Sequence, residues 1–415
     1  MKTSIYTLTS ELHDEKAVGA VTEAFLGSLG IDYTLKGSDY ADYGDGSLDL
    51  IYVRTGGTEG IFKRLLPELQ KKSAQPFYLL TSGKSNSLAA SMEILSFLRQ
   101  NNLRGEIIHG STDYINHRIN ILKKVREAHQ QLKGCRLGII GEPSDWLISS
   151  HADKDAVRQR LGIELIDIPM SELLETINNV NVNGNVCFEG TDINDALPGA
   201  NRIYMALKSV VERNNLQGFT LRCFDLLTEV RNTGCLALAK LNAEGIVGSC
   251  EGDVPAMLSM MITKSLTGLS GFQANPSSIN PDTGEMLFAH CTIPLNMVER
   301  YEMDTHFESG IGIGIRGYAA TGPVTIFKVS GDVSRYFIAE GYLVANQAKA
   351  DLCRTQQIIR LADKSQTNYF LTNPIGNHHI ILPGHNSELI NDFLTGTNSN
   401  GNGNVNGNGN VNGNE

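Results

Sequence analysis

The sequence lacks the features that define several common classes of protein. It has no C-x-x-C pair, and its seven cysteines are odd in number and lie far apart along 415 residues. This distribution argues against a disulfide framework and predicts reduced, buried thiols. No apolar run approaches the roughly 20 residues needed to span a bilayer, and the charged N-terminal segment has no apolar core of signal-peptide length. We therefore expect a cytoplasmic protein with no membrane partner.

Positive charge is also scarce. The chain carries 35 Lys and Arg against 45 Asp and Glu, for a net charge of −10. Because phosphate binding needs a concentrated basic surface, this balance argues against a nucleic-acid partner. Hydrophobic residues make up 41% of the chain and charged residues 19%, which is ample material for folded cores. The length suggests two to three domains.

Strand-like and helix-like segments alternate through the first third of the chain. Four short apolar runs, at 4–9, 48–53, 76–81 and 105–110, predict buried strands, and amphipathic segments separate them. This alternation is typical of βαβ units and a parallel sheet, so we expect a Rossmann-like domain over residues 1–132. The Gly/Ser loop at 81–91 opens a helix, and an ordinary βα turn is favoured there over an anion-binding loop.

The same pattern starts again at "GCRLGIIGEPSDWLIS" (134–149) and continues to the strand "IVGSC" (246–250). We therefore expect a second Rossmann-like domain over residues 133–266. Beyond it, strands follow one another with few helices between them, which predicts a β-barrel-like domain over residues 267–393. The overall prediction is an α/β fold with two parallel-sheet domains and a C-terminal barrel.

Two remaining segments carry no chemistry in this interpretation. "GIGIRG" (312–317) matches the dinucleotide pattern G-x-G-x-x-G, but it alternates like a strand and no helix follows it. We therefore predict no nucleotide cofactor. Residues 394–415 are Asn/Gly repeats that cannot bury a core, so we expect a disordered tail.

The stretch "SCEGDVP" (249–255) places two carboxylates at the end of an apolar strand. Asp253 precedes Val254 and Pro255, a favourable helix start, and so it could simply be an N-cap. Glu251 follows the strand directly, and ligands of open α/β sheets bind outside the carboxyl ends of strands. The local pattern alone leaves open whether Glu251 is functional.

Several histidines are candidates for the same site. His290 lies in the apolar strand "FAHCTIP", where a lone histidine is more often a satisfied core residue than a ligand. His378 and His379 are adjacent in "GNHHIILPG"; neighbours on a strand point to opposite faces, so both are not expected on one metal. The alternative for that pair is a solvated turn. His306 and Glu308 would share one face of a strand, as a site or as a surface pair.

A carboxylate and two histidines drawn from this region would suit Mn²⁺ or a similar divalent ion as a mixed nitrogen and oxygen site. The order of the motifs resembles the L-fucose isomerase and L-arabinose isomerase superfamily, particularly the shorter L-fucose isomerase-like proteins. Four segments carry the resemblance, which covers about residues 1–390: "CEGDVPAMLSMMI", "LFAHCT", "GNHHIIL" and "GEPSDWLIS".

The resemblance implies a role for each matching residue. Glu251 would be a metal ligand and a candidate acid/base, with Asp253 supporting it. His290 would lie at or near the metal, and His378 would be the final ligand, because Asn377-His378 matches the fucose-type pattern. His379 is the alternative if the His-His pattern governs.

The chain departs from the family pattern at one position. Where these families place a second acidic ligand, the matching residue here is the neutral Asn275. An amide oxygen can bind a hard cation but cannot act as a base at neutral pH. Asp225, in "RCFDLL", falls near the expected cleft and is a further candidate carboxylate.

The resemblance implies a metal-dependent aldose–ketose isomerase, an intramolecular oxidoreductase of carbohydrate metabolism that acts on a fucose- or arabinose-like sugar through an enediol. It also implies a homo-oligomer, trimeric or hexameric. Two alternatives are a sugar-binding relative without turnover, suggested by Asn275, and a carbohydrate lyase or epimerase that uses the same site.

Overall fold

The chain forms two compact units in the computed structural model, which describes residues 2–45, 48–73, 76–180 and 193–397. The units are Met1–Glu127 and Ala128–Glu415. The boundary predicted after residue 132 stays a prediction. The second and third predicted domains fall within one unit, so their separation at 266 stays a prediction.

The first unit contains a five-stranded parallel sheet with the strand order β2-β1-β3-β4-β5. Its apolar central strands are buried on both faces, as expected where helices cover a parallel sheet. The strands are β1 Thr3–Leu8, β2 Tyr33–Gly37, β3 Leu48–Val53, β4 Phe77–Leu80 and β5 Gly105–Ile108. The helices are α1 Glu15–Ser28, α2 Glu59–Lys72, α3 Ser87–Gln100 and most of α4 Thr112–Leu132, whose last residues lie beyond the end of the unit at Glu127.

The second unit begins with a four-stranded parallel sheet in the order β7-β6-β8-β9. Its strands are β6 Arg136–Ile140, β7 Glu164–Ile168, β8 Gly218–Leu221 and β9 Val247–Cys250. Its helices are α5 Lys154–Leu161, α6 Met170–Asn179, α7 Ile193–Arg213, α8 Asp225–Glu229, α9 Cys235–Ala243 and α10 Val254–Thr267. The loops that follow β6, β8 and β9 emerge at one edge of this sheet.

A closed antiparallel barrel follows in the same unit, with the strand order β10-β11-β16-β15-β14-β17. Its strands are β10 Phe272–Asn280, β11 Glu285–His290, β14 Gly322–Val329, β15 Tyr336–Gln347, β16 Thr355–Leu361 and β17 His379–Pro383. A two-stranded ribbon, β12 Arg300–Asp304 and β13 Gly314–Tyr318, and two helices, α11 Thr367–Thr372 and α12 Ser387–Thr397, complete it. The predicted fold class is confirmed.

Helix α10 joins the sheet to the barrel. It packs against β8 and β9 on one side and against β14 and β17 on the other. Every residue from Val254 to Thr263 is buried, as expected for a helix that is apolar all round. The helix start, with the turn that precedes it, is therefore held between the two layers of this unit.

The structure corrects two local predictions. Residues 305–313 form a loop between β12 and β13, so His306 and Glu308 do not lie on a strand. Helix α12 runs to Thr397 and buries Leu394 completely, so the first residues of the predicted tail are helical. The rest of the tail, 398–415, lies outside the described residues. No helix of the described chain is both long and apolar enough to cross a membrane.

Candidate functional site

The site begins at the sharp turn between β9 and α10. Glu251 and Gly252 both adopt left-handed backbone conformations, with φ of 66° and 71°. A Cβ at Gly252 would lie 2.5 Å from the carbonyl oxygen of Glu142, so only glycine fits there. Asp253 then caps α10 by accepting a hydrogen bond from Ala256 N at 2.8 Å, which confirms the predicted N-cap.

Three predicted residues come together at this turn. Glu251, His290 and His378 are buried, and one ligand atom from each lies within 4.8 Å of the others. Glu251 Oε1 is 3.5 Å from His290 Nε2 and 3.3 Å from His378 Nε2. The carboxylate comes from the sheet edge, and the imidazoles come from the last residue of β11 and from the residue that precedes β17. The chain folds these distant positions into one cluster.

Asp253 orients His378 from the opposite side of the ring. Its Oδ2 accepts a hydrogen bond from His378 Nδ1 at 2.8 Å. Lys328 Nζ lies 3.4 Å from both oxygens of Asp253, and all three side chains are almost completely buried. A ligating histidine commonly donates its other ring N–H to a carboxylate in this way, which fixes the tautomer and the ring orientation.

The other ring nitrogen of His378 is an orphan. His378 Nε2 is buried and makes no hydrogen bond with standard geometry among the described residues, although Glu251 Oε1 lies 3.3 Å away. Buried polar atoms are nearly always satisfied in folded proteins. An unpartnered nitrogen that faces a carboxylate and a second imidazole therefore requires an explanation.

The charges in the cluster perturb its titration. Burial opposes ionisation of Glu251, but His378 and His290 outweigh burial and hold the pKa of this carboxyl well below its usual range. Burial lowers the pKa of His378, yet Glu251 and Asp253 together raise that pKa to about 9. Burial lowers the pKa of His290. A position that stabilises positive charge on His378 Nε2 is also suited to a metal cation, which competes with that proton.

Trp146 is a site residue that the sequence interpretation missed. Its indole Nε1 donates a 2.7 Å hydrogen bond to Glu251 Oε2, and its ring packs edge-on against Phe224, with centroids 4.7 Å apart. It lies in the polar turn after β6, at the same sheet edge as the turn after β9. The signal was present, since it is the chain's only tryptophan and follows a buried strand.

Two predicted residues do not join the cluster. His379 is fully buried elsewhere: its Nε2 lies 3.0 Å from Tyr369 Oη and its Nδ1 lies 2.9 Å from the carbonyl oxygen of Asn377. Both ring nitrogens are thus engaged outside the cluster. This agrees with the expectation that adjacent residues point in opposite directions. Asp225 accepts a 3.0 Å hydrogen bond from Arg222 Nε. The expectation that Asp225 supplies a carboxylate to the cluster is not met.

Asn275 lies on β10 beside the site. Its Oδ1 accepts a 3.0 Å hydrogen bond from Nδ2 of Asn377, the residue that precedes His378. Its assignment as a metal ligand stays a prediction. The histidine pair at 378 and 379 is completely buried, so the alternative of a solvated turn is wrong.

A cavity of about 400 Å³ lies next to neighbours of the cluster. Its wall includes Trp146, which donates to Glu251, and Asn377, which precedes His378. Its volume lies in the range of small-molecule sites, and its wall combines rings and prolines with hydroxyl and amide groups. The lining residues are Trp146, Leu147, Ser149, Ser150, Pro276, Phe370, Pro374, Gly376 and Asn377.

Fold and site together define an α/β protein with a C-terminal barrel and a buried cluster of one carboxylate and two imidazoles. No protein-family model matches the chain. The chain is similar to proteins named sulfoquinovose isomerase from several bacteria. The match to Alkalicoccus urumqiensis is 21% identical over 262 residues, covering 59% of each chain. The match to Clostridium sp. strain MSTE9 is 24% identical over 224 residues, covering 51% of this chain and 48% of the relative.

The third relative, from Priestia megaterium, is 22% identical over 270 residues, again covering 59% of each chain. The chain thus matches between about half and three fifths of the length of these curated relatives. Their names support the coarse expectation of an isomerase that acts on a sugar. They do not single out the L-fucose and L-arabinose isomerases, so that finer resemblance stays a prediction.

Proposed function

We propose that the protein is an aldose–ketose isomerase that uses a divalent cation held by Glu251, His290 and His378. The observation that carries the proposal is the buried, unpartnered Nε2 of His378, aimed at a carboxylate and a second imidazole. The names of the relatives support the reaction class.

The donor set fits a divalent cation. One carboxylate oxygen and two imidazole nitrogens suit Mn²⁺ and similar ions, and Asp253 and Trp146 hold the ring of His378 and the carboxylate of Glu251 in place. When bound, the cation would supply positive charge against the oxyanion that develops as an aldose becomes an enediol. We propose Mn²⁺ as the ion, as the resemblance implies.

The chain's own residues would bind the sugar and limit the access of water. The ring of Trp146 and the hydroxyl and amide groups of the adjoining cavity would bind the carbon chain of the sugar. The buried surroundings of Glu251 and His378 would limit the access of water to the reacting carbons. A cytoplasmic homo-oligomer, trimeric or hexameric, remains part of this proposal.

The test combines metal binding with sugar turnover. Chelator-stripped protein is reloaded with Mn²⁺, its metal content is measured, and ketose formation is followed on aldoses that include fucose, arabinose and sulfoquinovose. We expect about one ion per chain and one aldose converted to its ketose. His378→Gln should lose the ion, whereas the matched control His385→Gln, a half-exposed histidine away from the cluster, should keep it. A wild-type protein that binds no ion and converts no aldose would refute the proposal.

A second candidate function is sugar binding without turnover. It is favoured by Asn275, which stands where the resembling families place an acid and is bonded to another amide. Under this alternative the loaded protein would bind a sugar, detectable by calorimetry, without forming ketose. Conversion of a sugar to another product would instead indicate a lyase or an epimerase.

A further inference from the structure

Two side-chain amides cover the outer edge of strand β9. This strand is the last of its sheet, so its outer N–H and C=O groups have no strand partner within the described chain. Asn242, from α9, accepts from the backbone N–H of Gly248 at 3.1 Å and donates to the carbonyl oxygen of Gly248 at 2.7 Å. Buried backbone groups are nearly always paired, and an amide side chain offers both the donor and the acceptor that a strand edge requires.

The second amide belongs to Gln273, which comes from the barrel strand β10 and pairs with Cys250. Its Oε1 accepts from Cys250 N at 2.8 Å, and its Nε2 donates to Cys250 O at 3.3 Å. The same Oε1 lies 3.1 Å from Ser249 Oγ, and the side chain is only 1% exposed. Gln273 therefore binds both backbone polar groups of Cys250, as a residue of a neighbouring strand would.

The carbonyl group that Gln273 binds belongs to the peptide bond that leads into Glu251. Glu251 is left-handed, with φ of 66°, and such a conformation persists in a residue other than glycine only where its surroundings fix it. Two backbone bonds fix the turn from the sheet layer: Ser144 N donates to Glu251 O at 2.9 Å, and Gly252 N donates to Leu221 O at 2.9 Å. Gln273 fixes the same turn from the barrel.

Strand β10 lies between the two barrel strands that carry the imidazoles. On one side it pairs with β17, where Gln273 lies opposite Ile380, two residues after His378. On the other side it pairs with β11, whose last residue is His290. The side chain that holds the peptide before Glu251 thus belongs to the strand between those of the two histidines.

We propose that Gln273 is a positioning residue for the cation site: its amide sets the place of the turn between β9 and α10 relative to the barrel, and so holds the Glu251 carboxylate at the two imidazoles. This inference rests on the proposed function. Asn242 makes the same pair of bonds to β9, but its remaining bond goes to Leu238 of its own helix. Loss of Asn242 would uncover the strand edge without releasing the turn from the barrel.

The test compares Gln273→Met with the matched control Asn242→Leu. Each change replaces a buried amide by an apolar side chain of similar size and removes two bonds to β9, so both variants should melt at a lower temperature. The first measurement needs no metal. Trp146 is the chain's only tryptophan and donates to Glu251 Oε2, so the single indole N–H resonance of the stripped protein reports the place of that carboxylate. We expect this resonance to move in Gln273→Met and to stay at its wild-type position in Asn242→Leu.

The second measurement is titration calorimetry of the stripped variants with Mn²⁺. We expect the affinity to fall about 10- to 100-fold in Gln273→Met, the usual cost of losing a group that orients a metal ligand, and to stay at the wild-type value in Asn242→Leu. Should Gln273→Met fail to fold, Gln273→Asn takes its place, because it keeps an amide but is one methylene too short to reach both groups of Cys250.

Four outcomes decide between the proposals. A wild-type indole resonance or a wild-type Mn²⁺ affinity in the Gln273 variant would overturn the positioning role. Equal changes in the Asn242 variant would also overturn it, since the effect would then come from any uncovered strand edge. Changes in the Gln273 variant alone would support it. A resonance that moves in that variant alone, in a protein whose wild type binds no Mn²⁺, would support the positioning of Glu251 and refute the proposed function.

Discussion

The substitution Trp146→Phe isolates one hydrogen bond of the site. It keeps an aromatic ring next to Phe224, removes the indole N–H that donates to Glu251 Oε2 at 2.7 Å, and reduces the fused ring system to a single ring. A hydrogen bond to a charged group contributes about 1.5–3 kcal/mol, which corresponds to about 10- to 100-fold in binding. Because the tryptophan is 52% exposed, water can partly replace the lost donor. We therefore expect Mn²⁺ affinity to fall about tenfold, the lower limit for loss of a group that orients a metal ligand.

The assay is titration calorimetry of the stripped protein with Mn²⁺, alongside kcat/KM for the aldose that the wild type converts. Tyr204→Phe is the matched control, because it also removes one hydrogen bond to a glutamate, Glu244, at the surface. Wild-type affinity in Trp146→Phe would refute the reasoning that this bond orients the ligand. An equal loss in Tyr204→Phe would show that the effect is not local.

Three further predictions concern stability. Asp253→Ala should lower the free energy of unfolding by about 3–5 kcal/mol, because it leaves Lys328 as a buried charge without its partner, and urea unfolding measures this. Gly252→Ala should cost more than about 1 kcal/mol, since the residue has positive φ and its new methyl would meet the Glu142 carbonyl; a thermal melt unchanged from wild type would contradict this. Burial and Lys328 lower the pKa of His379 to about 3. Between about pH 6.5 and pH 3 the unfolded chain therefore binds a proton at this residue and the folded chain does not. Stability should fall as the pH falls through this window, by up to about 1.4 kcal/mol per pH unit more in wild type than in His379→Leu.

Much of the fold followed from apolar patterning. The strands from β1 to β9 that carry continuous apolar runs were predicted, because a parallel sheet buries both faces of each strand. The barrel strand β10 was not, since "FQANPSSIN" mixes polar residues with a proline and is half exposed. The segment around His306 alternates like a strand but turns at Gly310 and Gly312, both at positive φ. Local periodicity cannot reveal such a turn.

The site was predictable only in part, for a similar reason. Glu251 stood out because it follows an apolar strand, and His378 because Asn377-His378 matches the fucose-type pattern. Their proximity is a tertiary property that no local pattern contains. Lys328 went unnoticed in the strand "VTIFKV", although a single charge among apolar residues signals a buried partner. Asp225 was suggested because it falls near the expected cleft, but its carboxylate forms an ion pair with Arg222, an orientation that the position of the segment does not determine.

Helix α10 lies between the two layers of the second unit that contribute the ligands of the proposed cation. The turn that precedes it presents Glu251 from the end of the sheet strand β9, whereas His290 and His378 come from the barrel, so neither layer contains a complete set of ligands. A cation bound to all three would stabilise only the state in which both layers are docked, by an amount that grows with the logarithm of its concentration. A bound metal would therefore increase the cooperativity of unfolding, in addition to its role in the reaction. In the loaded protein, sheet and barrel should melt together as a single folding unit.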